Sequence, residues 1–183
     1  VGIDDDFFVL GGDSLLAVEL FARIREAFGR DLPLGALAQA PTIRALAAAL
    51  RSADDPWPVL VPLKTTGDRT PVFCVHGGTG NVATFPVLAR ALPDDQPFYA
   101  LQWDGLNGTR GTRTVPGMAH RYLEEVRKIQ PHGPYVLAGQ CVGGLVALEM
   151  AKALQDDGEE VALLALYDSP NLASPSYRPE ARF

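Results

Sequence analysis

The sequence predicts an α/β protein: a largely parallel sheet covered by helices, preceded by a small all-helical bundle. Three observations predict it. The first 51 residues repeat their apolar positions at helical spacing and hold no strand-like run. From Val59 onward, short apolar runs alternate with amphipathic helical stretches, the pattern of parallel strands joined by crossovers. From Tyr135 to Met150, a buried-strand pattern passes through Gly139-Gln140-Cys141-Val142-Gly143 directly into a helical one.

In the helical part, Gly11-Gly12-Asp13-Ser14 precedes a run with Leu16, Leu20, Ile24 and Phe28 four residues apart, which lines one helix face. Gly29 stops this helix. A short helical piece is expected after Arg30 to Leu34, and a last helix from about Pro41-Thr42, with Ile43, Leu46, Ala47 and Leu50 on one face. Two amphipathic helices and a turn make a very small core, so a further helix is expected ahead of Val1. Ser52 to Pro58 has the polar and proline content of a linker. Beyond it, Val59 to Leu63, Val72 to Val75, Phe98 to Leu101, Tyr135 to Ala138 and Val161 to Tyr167 read as strands. Helical patterns fall at Ala83 to Leu92, Met118 to Gln130 and Val142 to Leu154, and Gly158 ends the last. The expected division is a helical domain at 1–51, a linker at 52–58 and a sheet domain at 59–183.

Composition narrows the function. With 16 Lys and Arg against 22 Asp and Glu, the net charge of −6 argues against nucleic acid, whose phosphates need clustered cations. No run approaches the roughly 18 to 20 apolar residues of a membrane span and no signal segment opens the chain, so a soluble, cytoplasmic protein is expected. Cys74 and Cys141 both lie at strand-like positions, which makes a disulfide framework a poor reading. The three histidines have no metal-ligand spacing, and no metal is expected.

The strand-to-helix turn at Gly139 to Gly143 is a nucleophile elbow, in which a strained central residue presents its side chain above the sheet and small neighbours let strand and helix approach. Cys141 is the candidate nucleophile, with sulfur where the motif usually has a serine oxygen. The bland alternative is a structural cysteine beside a glycine-rich turn. In open α/β sheets sites gather at the carboxyl ends of strands, and two more such ends carry chemistry. His76-Gly77-Gly78-Thr79-Gly80 follows one strand and resembles the oxyanion loop of α/β-hydrolases. That likeness places the acyl oxygen between the amides of Val142 and Gly78. Asp168, in Tyr167-Asp168-Ser169-Pro170, holds the place of the acid that orients a catalytic imidazole. No histidine follows it. His132 lies about 16 Å from Cys141 at the wrong end of a strand, His120 sits inside an amphipathic helix, and His76 belongs to the loop.

Asp6-Phe7-Phe8-Val9-Leu10-Gly11-Gly12-Asp13-Ser14-Leu15 resembles the core motif of a peptidyl carrier protein of nonribosomal peptide synthetases. The resemblance implies 4′-phosphopantetheine on Ser14. Independently, a serine at a helix mouth offers its hydroxyl where N-terminal amides favour a phosphate, although Asp13 or Ser14 would also serve as a plain cap. In order, the carrier motif, linker, His-Gly-Gly loop, elbow and Tyr-Asp-Ser-Pro are similar to the carrier and type I thioesterase pair that ends many such synthetases. This likeness implies an α/β-hydrolase-type fold after a partial carrier bundle. It also implies that an acyl or peptidyl thioester passes to Cys141 and is released by hydrolysis or cyclisation. The implied partners are upstream synthetase domains in the same polypeptide and a phosphopantetheinyl transferase. The expectation is of a piece truncated at both ends, with the first carrier helix before Val1 and the lid and catalytic histidine beyond Phe183.

Two other readings compete. Gly78-x-Gly80-x-x-Ala83 with Asp104 some twenty residues on imitates a dinucleotide-binding fingerprint, but leaves the elbow unexplained. A carrier joined to a hydrolase-like domain that only docks acyl chains is the non-catalytic alternative.

Overall fold

The structure, a computed structural model, describes residues 1–30, 32, 35–51, 58–106 and 110–170. The expected linker at Ser52 to Pro58 lies outside the described residues except for Pro58.

Three helices form the amino-terminal bundle: α1 (Ser14–Phe28), α2 (Ala36–Gln39) and α3 (Ile43–Arg51). Asp13 caps α1, its Oδ1 accepting the amides of Leu15 and Leu16 at 2.9 Å each. Gly29 closes the helix in the left-handed region and donates to the Arg25 carbonyl. The buried face of α1 is Ala17, Phe21 and Ile24, packed with Leu37, Ala40 and Leu46. The expected stripe, Leu16, Leu20, Ile24 and Phe28, does line one face, but of its four residues only Ile24 is fully buried in this core. Leu16, Phe28 and Ile43 are exposed and line an apolar groove of about 560 Å³ together with Leu20, Leu46 and Leu50. The spacing of four is real, but its seam lies between core and groove, because α2 and α3 enclose only one side of α1.

The sheet has the order β1-β3-β2-β4-β5, formed by β1 (Leu60–Lys64), β2 (Val72–Val75), β3 (Phe98–Leu101), β4 (Tyr135–Gln140) and β5 (Val161–Tyr167). All pairs are parallel except β1 with β3. Three helices cover it: α4 (Phe85–Ala91), α5 (Val115–Ile129) and α6 (Val142–Asp156). On one face Phe73, Val75, Leu137 and Tyr135 pack against Tyr122 and Val126 of α5 and Val146 and Met150 of α6. On the other, Cys74, Phe98, Ala100 and Ala138 meet Phe85 and Ala89. Among the described residues, Leu163 and Leu166 of β5 are exposed.

The bundle leans on the β1 edge. Ala38 of α2 packs into the second sheet core. The Arg90 guanidinium lies 5.5 Å over the Phe8 ring and 3.7 Å from the Asp6 carboxylate. Gly35 abuts Gln102, where an added Cβ would come within 2.9 Å of Oε1.

Candidate active site

Cys141 stands between the last residue of β4 and the first of α6 with φ 52° and ψ −122°. A side chain other than glycine is strained in that region, and such strain persists only where the surroundings impose it. They do so here by close packing. A Cβ on Gly139 would lie 2.3 Å from the Gly143 carbonyl oxygen, and one on Gly143 would lie 2.0 Å from that of His76. Strand, helix and the loop after β2 thus meet backbone to backbone around the thiol. The Cys141 amide donates to the Tyr167 carbonyl at 3.1 Å. This bond ties the elbow to the end of β5, so Asp168 follows on the adjacent strand end. Asp168 is exposed and also has φ 52°.

The two predicted oxyanion donors belong to the two segments that meet at Gly143. Val142 opens α6, where the first amides have no partner within the helix, and Gly78 lies in the exposed part of the loop after β2. Among the described residues neither amide donates a hydrogen bond. At Gly143, where an added Cβ would strike the His76 carbonyl oxygen, the start of that loop lies against the first turn of α6. A Cβ at Gly78 would meet nothing within 4 Å, so the loop is open on that side. Its far end is held by the Trp103 amide, which donates to the Gly80 carbonyl at 2.8 Å. Asp104 is engaged with Thr112, accepting its amide at 2.8 Å and its hydroxyl at 3.0 Å. That carboxylate braces a loop, contrary to the ribose contact of the dinucleotide reading.

None of the three histidines serves Cys141. His76 is buried, with Nδ1 2.6 Å from the Gly77 carbonyl and Nε2 2.7 Å from the Tyr122 hydroxyl. Burial pushes its pKa down, against a smaller upward pull from the Gly77 carbonyl and Asp104. His120 is exposed beside Glu124, and His132 pairs with Glu159 at 2.9 Å. The second thiol, Cys74, is fully buried, meets the Tyr167 hydroxyl at 3.3 Å, and is pushed up to about 12 by desolvation. Among the described residues no cluster of three or more His, Cys, Asp or Glu could hold a metal, and no helix is long and apolar enough to cross a membrane.

At the carrier motif the structure changes the argument for Ser14. The amides expected to favour a phosphate are already taken by Asp13. What fits the pantetheine arm is room. Val9, Leu10 and Leu15 around the start of α1 are exposed, and Gly11, at φ 91°, has nothing within 4 Å of where a Cβ would stand.

Tyr122, Trp103 and Gln140, whose amide oxygen comes within 3.3 Å of a Cβ at Gly77, are site-shaping residues that sequence reasoning missed. Trp103 sits just past a strand's carboxyl end, a position that could have flagged it. Tyr122 carries no such signal, since only helix phase brings it to His76.

The family model described as "Thioesterase domain" matches residues 70–181, and the one described as "Phosphopantetheine attachment site" matches residues 1–50. Malpinin synthetase of Mortierella alpina is 47% identical over 93% of this chain, which spans 2% of that protein. Among solved structures, the four-domain nonribosomal peptide synthetase holo-AB3403 superposes with TM-score 0.66 at 32% identity, over 96% of this chain and 14% of that one. The NocB thioesterase domain, in covalent complex with a fluorophosphonate nocardicin G analog, gives TM-score 0.53 at 41% identity, over 58% and 48% of the two chains.

Proposed function

The chain belongs to the thioesterase domain family, with a phosphopantetheine attachment domain ahead of it, and from that premise we propose that it releases the finished acyl or peptidyl chain of a nonribosomal peptide synthetase through an acyl enzyme on Cys141. The fold is of the α/β-hydrolase type, the protein is a thioesterase-type enzyme, and its attachment domain carries covalent 4′-phosphopantetheine. Within that frame, the observation supporting the mechanism is Cys141 in a strained elbow, next in sequence to the Val142 amide and packed through Gly143 against the loop that carries Gly78; among the described residues neither amide donates a hydrogen bond.

Ser14 anchors the arm, which when bound supplies the thiol that carries the acyl group as a thioester. Cys141 sulfur attacks the acyl carbon, and the Val142 and Gly78 amides hold the oxygen as it becomes negative. Asp168 orients the imidazole that takes and returns the proton. None of the three histidines here is placed for that role, since His76 is committed to the loop and Tyr122, and His120 and His132 lie beside Glu124 and Glu159. The domain division at 1–51 and 59–183, the upstream synthetase domains, the phosphopantetheinyl transferase and the cytoplasmic setting belong to the same proposal. Both cysteines being free thiols accords with that setting.

The test is mass spectrometry after incubation with a phosphopantetheinyl transferase and acyl-coenzyme A. One modification is expected at Ser14, absent in Ser14→Ala, followed by acyl transfer to Cys141, absent in Cys141→Ala. An acyl group that stays on Ser14 in the complete protein would favour the docking-only reading.

A further inference from the structure

We propose that His76 is a positioning residue for the oxyanion hole: its imidazole, fixed by Tyr122, holds the Gly77–Gly78 peptide so that the Gly78 amide faces the acyl oxygen. The inference rests on the acyl-transfer reading above and adds how the loop is held.

The argument begins with the proton. A carbonyl oxygen only accepts, so at 2.6 Å from the Gly77 oxygen, Nδ1 must carry the hydrogen. In the neutral ring Nε2 is then an acceptor, and the Tyr122 hydroxyl donates to it at 2.7 Å. Burial of the ring maintains that neutral form.

The next step is peptide geometry. In a planar trans peptide the carbonyl of one residue and the amide of the next point in opposite directions. The Gly77 carbonyl is drawn inward by His76 and also accepts the Gly80 amide at 3.1 Å. The Gly78 N–H of the same peptide is therefore turned away from His76 and, among the described residues, has no partner. Glycine at 77 and 78 would otherwise let this peptide flip at little cost. Tyr122 reaches the ring from the middle of α5, so a core helix fixes the direction of a loop amide.

The chemical consequence is selective. When the Cys141 thiolate attacks a thioester, the new carbon–sulfur bond pushes the carbonyl electron pair onto oxygen. Collapse restores the carbonyl and expels the original thiolate, which takes a proton from solvent. That path needs the oxyanion hole. Alkylation of the same thiolate by iodoacetamide displaces iodide and makes no oxyanion.

The experiment compares the two rates at Cys141 by mass spectrometry on the intact chain, using an acyl N-acetylcysteamine thioester and iodoacetamide at about pH 9, where much of an ordinary thiol is ionised. His76→Gln, whose amide nitrogen is misplaced for the Gly77 carbonyl, is expected to lower the ratio of acylation to alkylation about 100-fold, the usual effect of losing one oxyanion donor. His76→Asn puts an N–H near the Nδ1 position and is expected to stay within about fivefold of the parent ratio. If the Gln variant fails to fold, as judged by near-UV circular dichroism and the alkylation rate, His76→Ser is too short to reach the carbonyl and carries the same expectation. Ratios unchanged in Gln and Ser, or lowered equally in Asn, would overturn the proposal. A parent chain that alkylates at Cys141 but never acylates would overturn the acyl-transfer reading itself, and this inference with it.

Discussion

Residues 74 and 141 are both cysteines, and their surroundings give them opposite chemistry. Cys74 is sealed in a sheet core with its thiol pushed up to about 12, while Cys141 stands partly exposed on a turn. Limited iodoacetamide treatment of the native chain is expected to add one label, at Cys141, as peptide mapping will show; a second label at Cys74 would mean that the β2–β4 core opens. Sulfur at 141 also bears on the product. Transfer from a pantetheine thiol to cysteine exchanges one thioester for another, whereas transfer to serine discards part of the activation. Cys141→Ser in the complete protein is therefore expected to stall as an oxoester or divert to free acid, measured by product chromatography; the same product at an equal rate would show that sulfur is not needed. His76 makes a pH prediction. Its folded pKa lies below the ordinary 6.5. As pH falls below that value the unfolded chain takes up a proton that the folded site resists, so stability is lost. The thermal midpoint is expected to drop between about pH 7 and 5.5, and to drop less in His76→Asn.

At the scale of elements, the elbow is the most sequence-determined part of the chain. Gly139 and Gly143 are the small residues that let strand and helix close, and a Cβ at either would collide with backbone. Gly143→Ala is expected to cost several kcal/mol, at the upper end of single substitutions, measurable as a lowered denaturant midpoint together with loss of Cys141 acylation. Strand positions were legible because the alternation of apolar runs and helical stretches leaves little freedom. β2, β3 and β5 fall where the pattern put them, and β4 runs on to Gln140. The phase of α1 was not legible. A helix with apolar residues on neighbouring stripes does not say which stripe packs, and here Ala17, Phe21 and Ile24 won over Leu16 and Phe28. The cap was clearer: Asp13→Ala is expected to cost about 1 kcal/mol of bundle stability, read from thermal melts.

For the whole molecule, the question is how bundle and sheet domain meet. Asp6 and Phe8 lie on Arg90, at the carboxyl end of α4, while Cys141 stands at the opposite end of the strands, on β4, three strands in from the β1 edge. The Arg90–Asp6 ion pair is partly exposed and worth no more than about 1 kcal/mol, while Ala38 in the sheet core and Gly35 against Gln102 add packing to the same interface. Arg90→Glu is expected to release the bundle, raising amide hydrogen exchange in α2 while leaving that of β2 and β4 unchanged. Equal protection of α2 in the variant would mean that Ala38 and Gly35 hold the interface without Arg90.

The linear sequence determined the order of elements, the elbow with Cys141 at its centre, and the loop and strand end that flank it, because each depends on local spacing and on glycine where nothing larger fits. It also carried the likeness from which carrier and thioesterase were inferred. Tertiary structure decided what depends on phase and long-range contact. It chose which stripe of α1 is buried, let Asp13 take the helix amides expected for a phosphate, and committed His76 to Tyr122 rather than to Cys141. A side chain's partner across the core is set by helix rotation and sheet register together, and neither can be read from one segment alone.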